Sequence, residues 1–398
     1  MNSKSKISLL PIFLIVAVDI LGLTLVLPIL PFYAEHYGAS PQAVGFLVTI
    51  YALCQLVSGP ILGRLSDRTG RKPMLIVSQL GTCLGFILLA RSHSLGMIFL
   101  SRFIDGITAG NLPIAQAYIS DVTEPQDRGK AFGIIGIAFG VGFFIGPGIS
   151  GYLSQFGYAA PAWAASLLSL ISVFCTYFLL PAHVNHESPH AVTDISNSPF
   201  NLHLYKKYFA NAALGRLLLL YFVFSFSFGN FMSGFALFAE RRFLSNGHPL
   251  GAREVGYFYT YLGLLAIVSQ GYMLPRLLKR FGEEKLVVAG FLTQALGYAA
   301  MVLVYQMPVL LVTTLLNSFG SGVLRPALAS LISQRAGRHE QGAVMGISQS
   351  LISVGQILAP ILAGFLIGRH WLNVWVLSTA FFSFCGFWLA IRPVKENA

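Results

Sequence analysis

The chain has 398 residues, of which 55% are hydrophobic and only 10% are charged. Soluble domains carry about 25% charged residues, so this composition excludes an ordinary soluble protein and indicates a chain embedded in a lipid bilayer. The formal net charge of +11 does not predict nucleic-acid binding, because the Lys and Arg residues lie at the ends of apolar runs rather than in a patch interleaved with aromatic residues.

Apolar runs of about 20 residues predict twelve transmembrane helices. The predicted spans are 8–32, 43–63, 73–91, 97–119, 130–153, 160–181, 217–240, 254–278, 285–305, 308–333, 343–368 and 371–391. The first run lacks a cleavage-site pattern and is long enough to span, so it is expected to be retained. The predicted fold is all-α and integral to the membrane, with an N-terminal six-helix bundle at 1–181, a cytoplasmic linker at 182–216 and a C-terminal six-helix bundle at 217–398.

The distribution of positive charge predicts the orientation. With both termini in the cytoplasm, nineteen Lys and Arg residues fall on the cytoplasmic side, and only Arg91, Arg241, Arg242, Arg253 and Arg369 fall outside. Cytoplasmic loops of membrane proteins are enriched in Lys and Arg. A multi-pass membrane protein with both termini in the cytoplasm is therefore expected.

The two halves also repeat each other when the chain is compared with itself. At an offset of 213 residues, Pro113 matches Pro326 and Gly142 matches Gly355; at an offset of 212, Gly70 matches Gly282. Each half starts on the same side of the membrane, so the repeat is parallel, with an axis along the membrane normal.

The stretch from Gly63 to Pro73 places five charges between two apolar runs and is predicted to be a tight charged hairpin at the cytoplasmic surface. Its spacing, Gly-x-x-x-Asp-Arg-x-Gly-Arg-Lys, resembles the signature loop between helices 2 and 3 of the major facilitator superfamily. The resemblance implies a cytoplasmic gate in which Arg71 pairs with Asp121 and Arg128 joins the network. We also expect the carboxylate of Asp67 to dock on the partially positive start of span eleven. A solvated loop would explain Arg64, Arg68 and Lys72, but not an acid between two arginines. The predicted gate residues are Gly63, Asp67, Arg68, Gly70, Arg71, Asp121 and Arg128.

Three ionisable residues lie at bilayer depth, where such groups are functional candidates. Asp19 is eleven residues into span one, roughly 16 Å along the helix. Asp105 lies at a similar depth in span four, and Arg102 is one turn away on the same face. Arg102 and Asp105 could be a purely structural pair. Alternatively, one carboxyl carries a proton during transport, and Asp19 is the better candidate because no cation shares its helix.

The surroundings of Asp19, with Gly22, Pro28 and Pro31, resemble the first helix of 12-helix drug/proton antiporters. In span five, Gly133, Gly142, Gly146, Pro147 and Gly151 resemble the antiporter signature, with Ser150 where a second glycine is usual. Glycines at this spacing remove side chains from one helix face and allow close packing, which is also the alternative explanation. The whole chain looks closest to bacterial tetracycline/proton antiporters, and this resemblance implies a location in a bacterial inner membrane.

Departures from those antiporters argue against tetracycline itself. They carry an acid in span three where Gly85 stands, and their span-eight histidine and span-nine aspartate have no counterpart here. We therefore expect coupling to rest on the N-terminal half. The residues expected to line the substrate cavity are Tyr51, Gln55, Asn111, Gln116, Asn230, Phe231, Arg325 and Gln349.

The predicted function is a proton-coupled antiporter that exports small amphipathic molecules, either drugs or an endogenous metabolite such as a siderophore. The alternative is a proton-coupled sugar or metabolite uptake symporter on the same fold. The expected partners are the substrate, protons and the bilayer, with the protein as a monomer. No enzyme is predicted because catalytic motifs are lacking. The four cysteines have no paired spacing, so neither a metal site nor another cofactor is predicted.

Overall fold

The computed structural model of the protein describes residues 10–123, 128–181, 202–245, 247–336 and 340–392. Up to residue 181 the helices are α1 (Leu10–Val26), α2 (Leu30–His36), α3 (Pro41–Thr69), α4 (Arg71–Ala90), α5 (Leu95–Ile107), α6 (Asn111–Val122), α7 (Arg128–Leu153) and α8 (Ala159–Leu179). From residue 202 they are α9 (Leu202–Ala210), α10 (Ala212–Arg242), α11 (Ala252–Ile267), α12 (Leu274–Ala300), α13 (Met307–Arg335), α14 (Gln341–Gly368) and α15 (Leu372–Ile391). A π-helical segment, Val268–Met273, joins α11 to α12, and β1 (Leu244–Ser245) pairs antiparallel with β2 (His248–Pro249).

Nine helical segments of the described chain are long and apolar enough to cross a membrane, or ten if the bent pair α1 and α2 is one span. One of them is the 52-residue segment Ala252–Leu303, which contains predicted spans eight and nine and is broken at Gly282, where φ is 75°. Helices α5 and α6 together cover predicted span four. The helical multi-span architecture is as predicted, and these breaks make it consistent with twelve spans.

The charged stretch 63–73 forms a tight hairpin, but its helices extend further than the predicted span ends at 63 and 73. Helix α3 continues to Thr69 and α4 starts at Arg71, so the turn is the single residue Gly70. Its φ of 97° lies in the region that glycine adopts readily and other residues avoid. Gly282, its partner in the sequence repeat, also has a positive φ. The charges of this stretch are compatible with helix because they lie at the ends of two spans, where side chains reach water.

Span four is broken between α5 and α6. Residues 108–110 leave the helix, and Ser78 of α4 supplies the missing bonds: its hydroxyl donates to the carbonyl of Thr108 and accepts from the amide of Gly110 at 2.9 Å. Non-helical backbone at membrane depth is tolerated only where such partners satisfy it. The break is therefore held by the neighbouring helix.

The predicted linker contains helical structure. Residues 182–201 lie outside the described residues, but α9 and the first turn of α10 fall within the stretch predicted as linker. Tyr208 of α9 is buried in an apolar core with Leu214, Leu218 and Ile332. This part of the stretch is therefore packed against the C-terminal spans.

Packing divides the chain into two compact units. The first comprises Met1–Ala39, Ile50–Ser188 and Gly251–Gly263, and the second comprises Ser40–Thr49, Pro189–Leu250 and Leu264–Ala398. Each unit thus includes one short segment from the other half of the sequence. In the first unit, Gly151 of α7 approaches the backbone of Arg253 in α11; in the second, its repeat partner Gly364 of α14 approaches the backbone of Pro41 in α3.

Candidate functional site: a buried acid cluster and a charged helix end

Asp19 lies on α1 beside polar side chains from two other helices. It interacts with Ser172 of α8 and Gln79 of α4, and it lies close enough to Asp105 for their charges to interact. The Oδ1 atom of Asp19 is buried, and within the described part of the chain it has no hydrogen-bond partner. The carboxyl therefore lies between helices with the bonding capacity of its Oδ1 atom unused by the described residues.

Gln79 joins the helices around Asp19. It donates from Nε2 to Ser172 Oγ at 2.8 Å, and its Oε1 accepts from Thr176 Oγ1 at 2.9 Å. Its backbone carbonyl accepts from Ser169 Oγ at 3.1 Å. Gln79 is fully buried, so these bonds replace the water that the amide would otherwise require.

Sequence reasoning missed this network, although a signal was present. Ser169, Ser172 and Thr176 recur at helical spacing, which places three hydroxyls on one face of an otherwise apolar helix. Such a stripe in a span needs polar partners on a neighbouring helix.

Asp105 and Arg102 form a buried ion pair on α5. Arg102 Nη1 lies 3.1 Å from Asp105 Oδ2, and the two side chains are 4% and 3% exposed. The guanidinium also lies 5.6 Å from the centre of the Phe86 ring. Its Nη2 has no hydrogen-bond partner among the described residues. Arg102 is thus near enough to neutralise Asp105, but its bonding capacity is not exhausted.

Tyr51 connects the two acids. Its side chain interacts electrostatically with Asp105, Arg102 and Asp19, and Gln55 donates from Nε2 to the Tyr51 hydroxyl at 3.3 Å. The structure therefore brings Asp19, Arg102 and Asp105 close to Tyr51 and Gln55. The sequence had indicated the first three for proton coupling and the other two for substrate contact.

Gly85 makes room for Asp105. A Cβ atom added to Gly85 would lie 2.9 Å from Asp105 Cβ and 3.1 Å from the carbonyl oxygen of Ser101. Helices α4 and α5 are therefore in backbone contact here. An acidic side chain in place of Gly85 would therefore not fit beside the carboxyl of Asp105.

The second polar site lies where α3 meets α4. Arg71 Nη1 lies 2.5 Å from Asp67 Oδ1, and Arg71 Nε lies 2.8 Å from Asp121 Oδ2 at the end of α6. Arg71 Nη1 also donates to Ser66 Oγ at 2.7 Å. The Asp121 side chain is only 6% exposed, whereas that of Asp67 is 52% exposed. Arg71 of α4 thus bonds to both α3 and α6, and its ion pair with Asp121 is more buried than its ion pair with Asp67.

The other charges of this end differ in their surroundings. Lys72 does not belong to a solvated loop, because its Nζ donates to the carbonyl of Leu180 at 2.7 Å and so satisfies the end of α8. Arg64 and Arg68 are exposed. The carbonyl of Gly63 accepts from Arg71 at 3.5 Å. The side chain of Arg128 lies outside the described part of the chain.

The glycines of α7 do not share one packing face. A methyl group at Gly142 or Gly146 would overlap Ile20 or Thr24 of α1, and one at Gly151 would lie 2.7 Å from the carbonyl oxygen of Arg253 in α11. Nothing lies within 4 Å of such a group at Gly133. The expectation of a single small-residue face was wrong, because α7 packs against two helices. Pro147 lies within the helix, in line with its predicted position in span five.

The predicted cavity residues fall into two groups. Asn230 and Phe231 of α10 are buried, and Asn230 Nδ2 donates to Ser378 Oγ and Thr379 Oγ1 of α15 at 3.3 and 2.8 Å. Neither side chain faces open space: the Asn230 amide joins α10 to α15, and the Phe231 ring is buried. Gln116, Arg325 and Gln349 are exposed, and Asn111 and the pair Tyr51 and Gln55 are partly buried.

Comparison with known proteins identifies the family. A family model described as Major Facilitator Superfamily matches residues 12–304 and 246–398. The chain belongs to the Major Facilitator Superfamily. Tetracycline resistance protein, class B, of Escherichia coli is 31% identical to this facilitator, over 94% of this chain and 91% of that protein. Multidrug resistance protein 2 of Bacillus subtilis (strain 168) is 30% identical, over 88% and 86% of the respective chains.

Solved structures share the fold of this facilitator. The human organic anion transporter MFSD10 (TETRAN) superposes with a TM-score of 0.72 at 23% identity, covering 98% of this chain and all of that one. A bacterial homologue of the human lysosomal transporter Spinster gives a TM-score of 0.78 at 15% identity over 98% and 97% of the two chains. The protein is thus a multi-pass membrane transporter, as predicted, and its family consists of transporters rather than enzymes.

Proposed function

We propose that this facilitator is a proton-coupled antiporter that exports small amphipathic molecules, drugs or an endogenous metabolite such as a siderophore, by alternating access. Relatives named as tetracycline and multidrug resistance proteins support export. The observation that carries the coupling is the cluster of two carboxyls, that of Asp105 buried and that of Asp19 with a buried Oδ1 atom, with one guanidinium. An ionised carboxylate in a bilayer is costly unless a cation neutralises it, and Arg102 can neutralise only one.

In this mechanism Asp105 stays ionised beside Arg102, and Asp19 carries the transported proton. Asp19 is suited to this because Gln79 and Ser172 hold it between helices without supplying a charge. When the cluster opens to one side of the membrane, water can accept the proton from Asp19. Tyr51 and Gln55 lie beside the acids, so a substrate bound at these two residues would be close enough to Asp19 to affect its protonation. Asn111, Gln116 and Gln349 complete the proposed lining.

We assign the contact of Asp67, Arg71 and Asp121 to the cytoplasmic gate, with Arg128 in the same network. Arg71 is held by two acids, and the more exposed Asp67 is the one free to exchange partners. Docking of Asp67 on the start of α14 would then favour closure of the cytoplasmic side. The protein is proposed to act as a monomer of two six-helix halves, 1–181 and 217–398, with both termini in the cytoplasm.

The experiment uses inverted membrane vesicles acidified inside by respiration, with a pH-sensitive dye and ethidium as the probe. Ethidium should release protons from vesicles that contain the wild-type protein. Asp19→Asn should abolish the release, whereas Glu284→Gln, a change at a side chain that is 79% exposed, should leave it intact. Release by Asp19→Asn vesicles equal to that of the wild type would remove Asp19 from the mechanism.

The uptake symporter remains the second candidate because of one observation. The α7 glycines that resemble the antiporter signature make ordinary packing contacts with α1 and α11. Helix packing alone could therefore account for the pattern. The direction of ethidium flux in whole cells separates the two candidates: energised cells should accumulate less ethidium with the protein than without it if it is an exporter.

A further inference from the structure

Arg325 is a cation at membrane depth in the C-terminal half. It lies on α13 and is exposed. It forms neither an ion pair nor a hydrogen bond with any residue in the described ranges. The sequence of the C-terminal half offers no acid at this depth. Glu240, Glu254, Glu283, Glu284 and Glu340 lie near helix ends or breaks, and Glu396 is the third residue from the end of the sequence. Arg102 in the other half has Asp105, whereas Arg325 has no such counter-ion.

The guanidinium does not point to the nearer membrane surface. Arg325 is ten residues from the end of α13, about 15 Å, which is the end that carries Arg335. Side chains on a helix lean toward its N-terminus, so Arg325 leans away from that end. It lies 5.9 Å from the centre of the Phe228 ring, and Phe228 is sixteen residues into α10, about 24 Å from the same end. The guanidinium also interacts electrostatically with Tyr221, so it lies beside the aromatic side chains of α10 within the span.

Arg325 lies on a different side of α13 from the most exposed apolar side chain of that helix. The most exposed apolar side chain of α13 is Val312, at 64%. At 100° per residue, Arg325 lies about 140° around the helix from Val312. Ser321, one turn earlier on the Arg325 side, adds a hydroxyl rather than an apolar group to that face. Arg325 is therefore accessible rather than packed in the core, on a different side of α13 from Val312.

We infer that Arg325 and Phe228 form a recognition site for the anionic group of an amphipathic substrate. A guanidinium binds a carboxylate through two parallel hydrogen bonds, and Arg325 has all of its donors available. The Phe228 ring provides an apolar surface next to the charge. The substrates that use this site are thus aromatic or otherwise apolar molecules that bear a carboxylate or similar anion, whereas a cation such as ethidium would be transported without it. The role of this site in transport rests on the proposed export function. Binding of an anion to the site can be tested separately from transport.

The test measures binding to the full-length protein in lipid nanodiscs with three matched probes: 2-naphthoate, 2-naphthylmethanol and 2-naphthylmethylammonium. We expect 2-naphthoate to bind about tenfold or more tightly than the alcohol, since hydrogen bonds to charged groups are strong, and the ammonium to bind most weakly. Arg325→Gln should remove this preference while leaving the affinity for the alcohol unchanged. Arg325→Lys should keep part of it, because it retains the charge without the planar fork.

Arg335→Gln is the matched control, since Arg335 lies at the end of the same helix with its side chain 46% exposed, and it should keep the full preference. The inference is overturned if the wild type does not prefer 2-naphthoate, if Arg325→Gln keeps the preference, or if Arg335→Gln loses it equally. Ethidium-driven proton release is measured in parallel. Proton release without anion preference would refute only this site, whereas anion preference without proton release would refute only the proposed antiport.

Discussion

Replacing Gly146 with alanine tests how α7 packs on α1. The new methyl group would overlap Thr24 Oγ1 and lie 2.8 Å from Thr24 Cβ. Thr24 is fully buried and lies 3.0 Å from the carbonyl oxygen of Gly142, to which its hydroxyl can donate. The methyl group must therefore displace either Thr24 or the whole helix.

The magnitude follows from two effects. Overpacking a tight core costs about 1–3 kcal/mol, and loss of a buried hydrogen bond costs about 0.5–1.5 kcal/mol. Replacing a helical glycine with alanine returns about 0.5–1 kcal/mol. We expect a net loss of about 0.5–4 kcal/mol in the free energy of unfolding for Gly146→Ala. Gly133→Ala, in the same helix with open space around it, should instead be neutral or stabilising.

The assay is equilibrium unfolding in mixed dodecyl maltoside and SDS micelles, followed by circular dichroism. Ethidium efflux should fall in Gly146→Ala and stay near the wild-type value in Gly133→Ala if close packing is what the glycine provides. Equal stability of the two variants would refute this packing argument. A loss of efflux in Gly133→Ala at unchanged stability would show that the glycine pattern has a role beyond packing.

Three further changes test the polar contacts. Asp121→Asn should lower the unfolding free energy by about 1–3 kcal/mol, and Asp67→Asn should lower it by less than about 1 kcal/mol. The reason is that Arg71 makes its more buried ion pair with Asp121. Equal effects of the two changes in the micelle titration would contradict this order. Lys72→Met should cost about 1 kcal/mol by leaving the last carbonyls of α8 without their donor. Gln79→Leu should lower the unfolding free energy by about 1–3 kcal/mol and slow proton release, since two hydroxyls lose their buried partner; unchanged proton release would exclude a role in coupling.

The helical type and the multi-span architecture could be predicted because long apolar runs indicate transmembrane helices. The ends and breaks could not. The charged stretch 63–73 looked like a loop, yet only Gly70 leaves the helix, since polar side chains at a membrane surface are compatible with helix. The break after α5 depends on Ser78 of α4, a contact between residues about thirty positions apart that no local pattern reveals.

The acid cluster was partly visible in the sequence. Asp19, Arg102 and Asp105 are conspicuous because charge is rare in a span, and Arg102 and Asp105 share a helix face. Gln79 is uncharged and one of several glutamines in the spans, so its place between Ser172 and Thr176 required three helices to be assembled first. Asn230 shows the opposite outcome, because a polar residue that looked suited to a cavity is used to join α10 to α15.

The central claim is that Asp19 carries the proton. Its most direct test uses purified protein in liposomes, with ethidium movement followed under an imposed pH gradient and, separately, by exchange of ethidium across the membrane without a gradient. We predict that Asp19→Asn loses the gradient-driven movement and keeps the exchange, since the substrate site remains while the proton site is gone. Gradient-driven movement by Asp19→Asn at the wild-type rate would contradict the account.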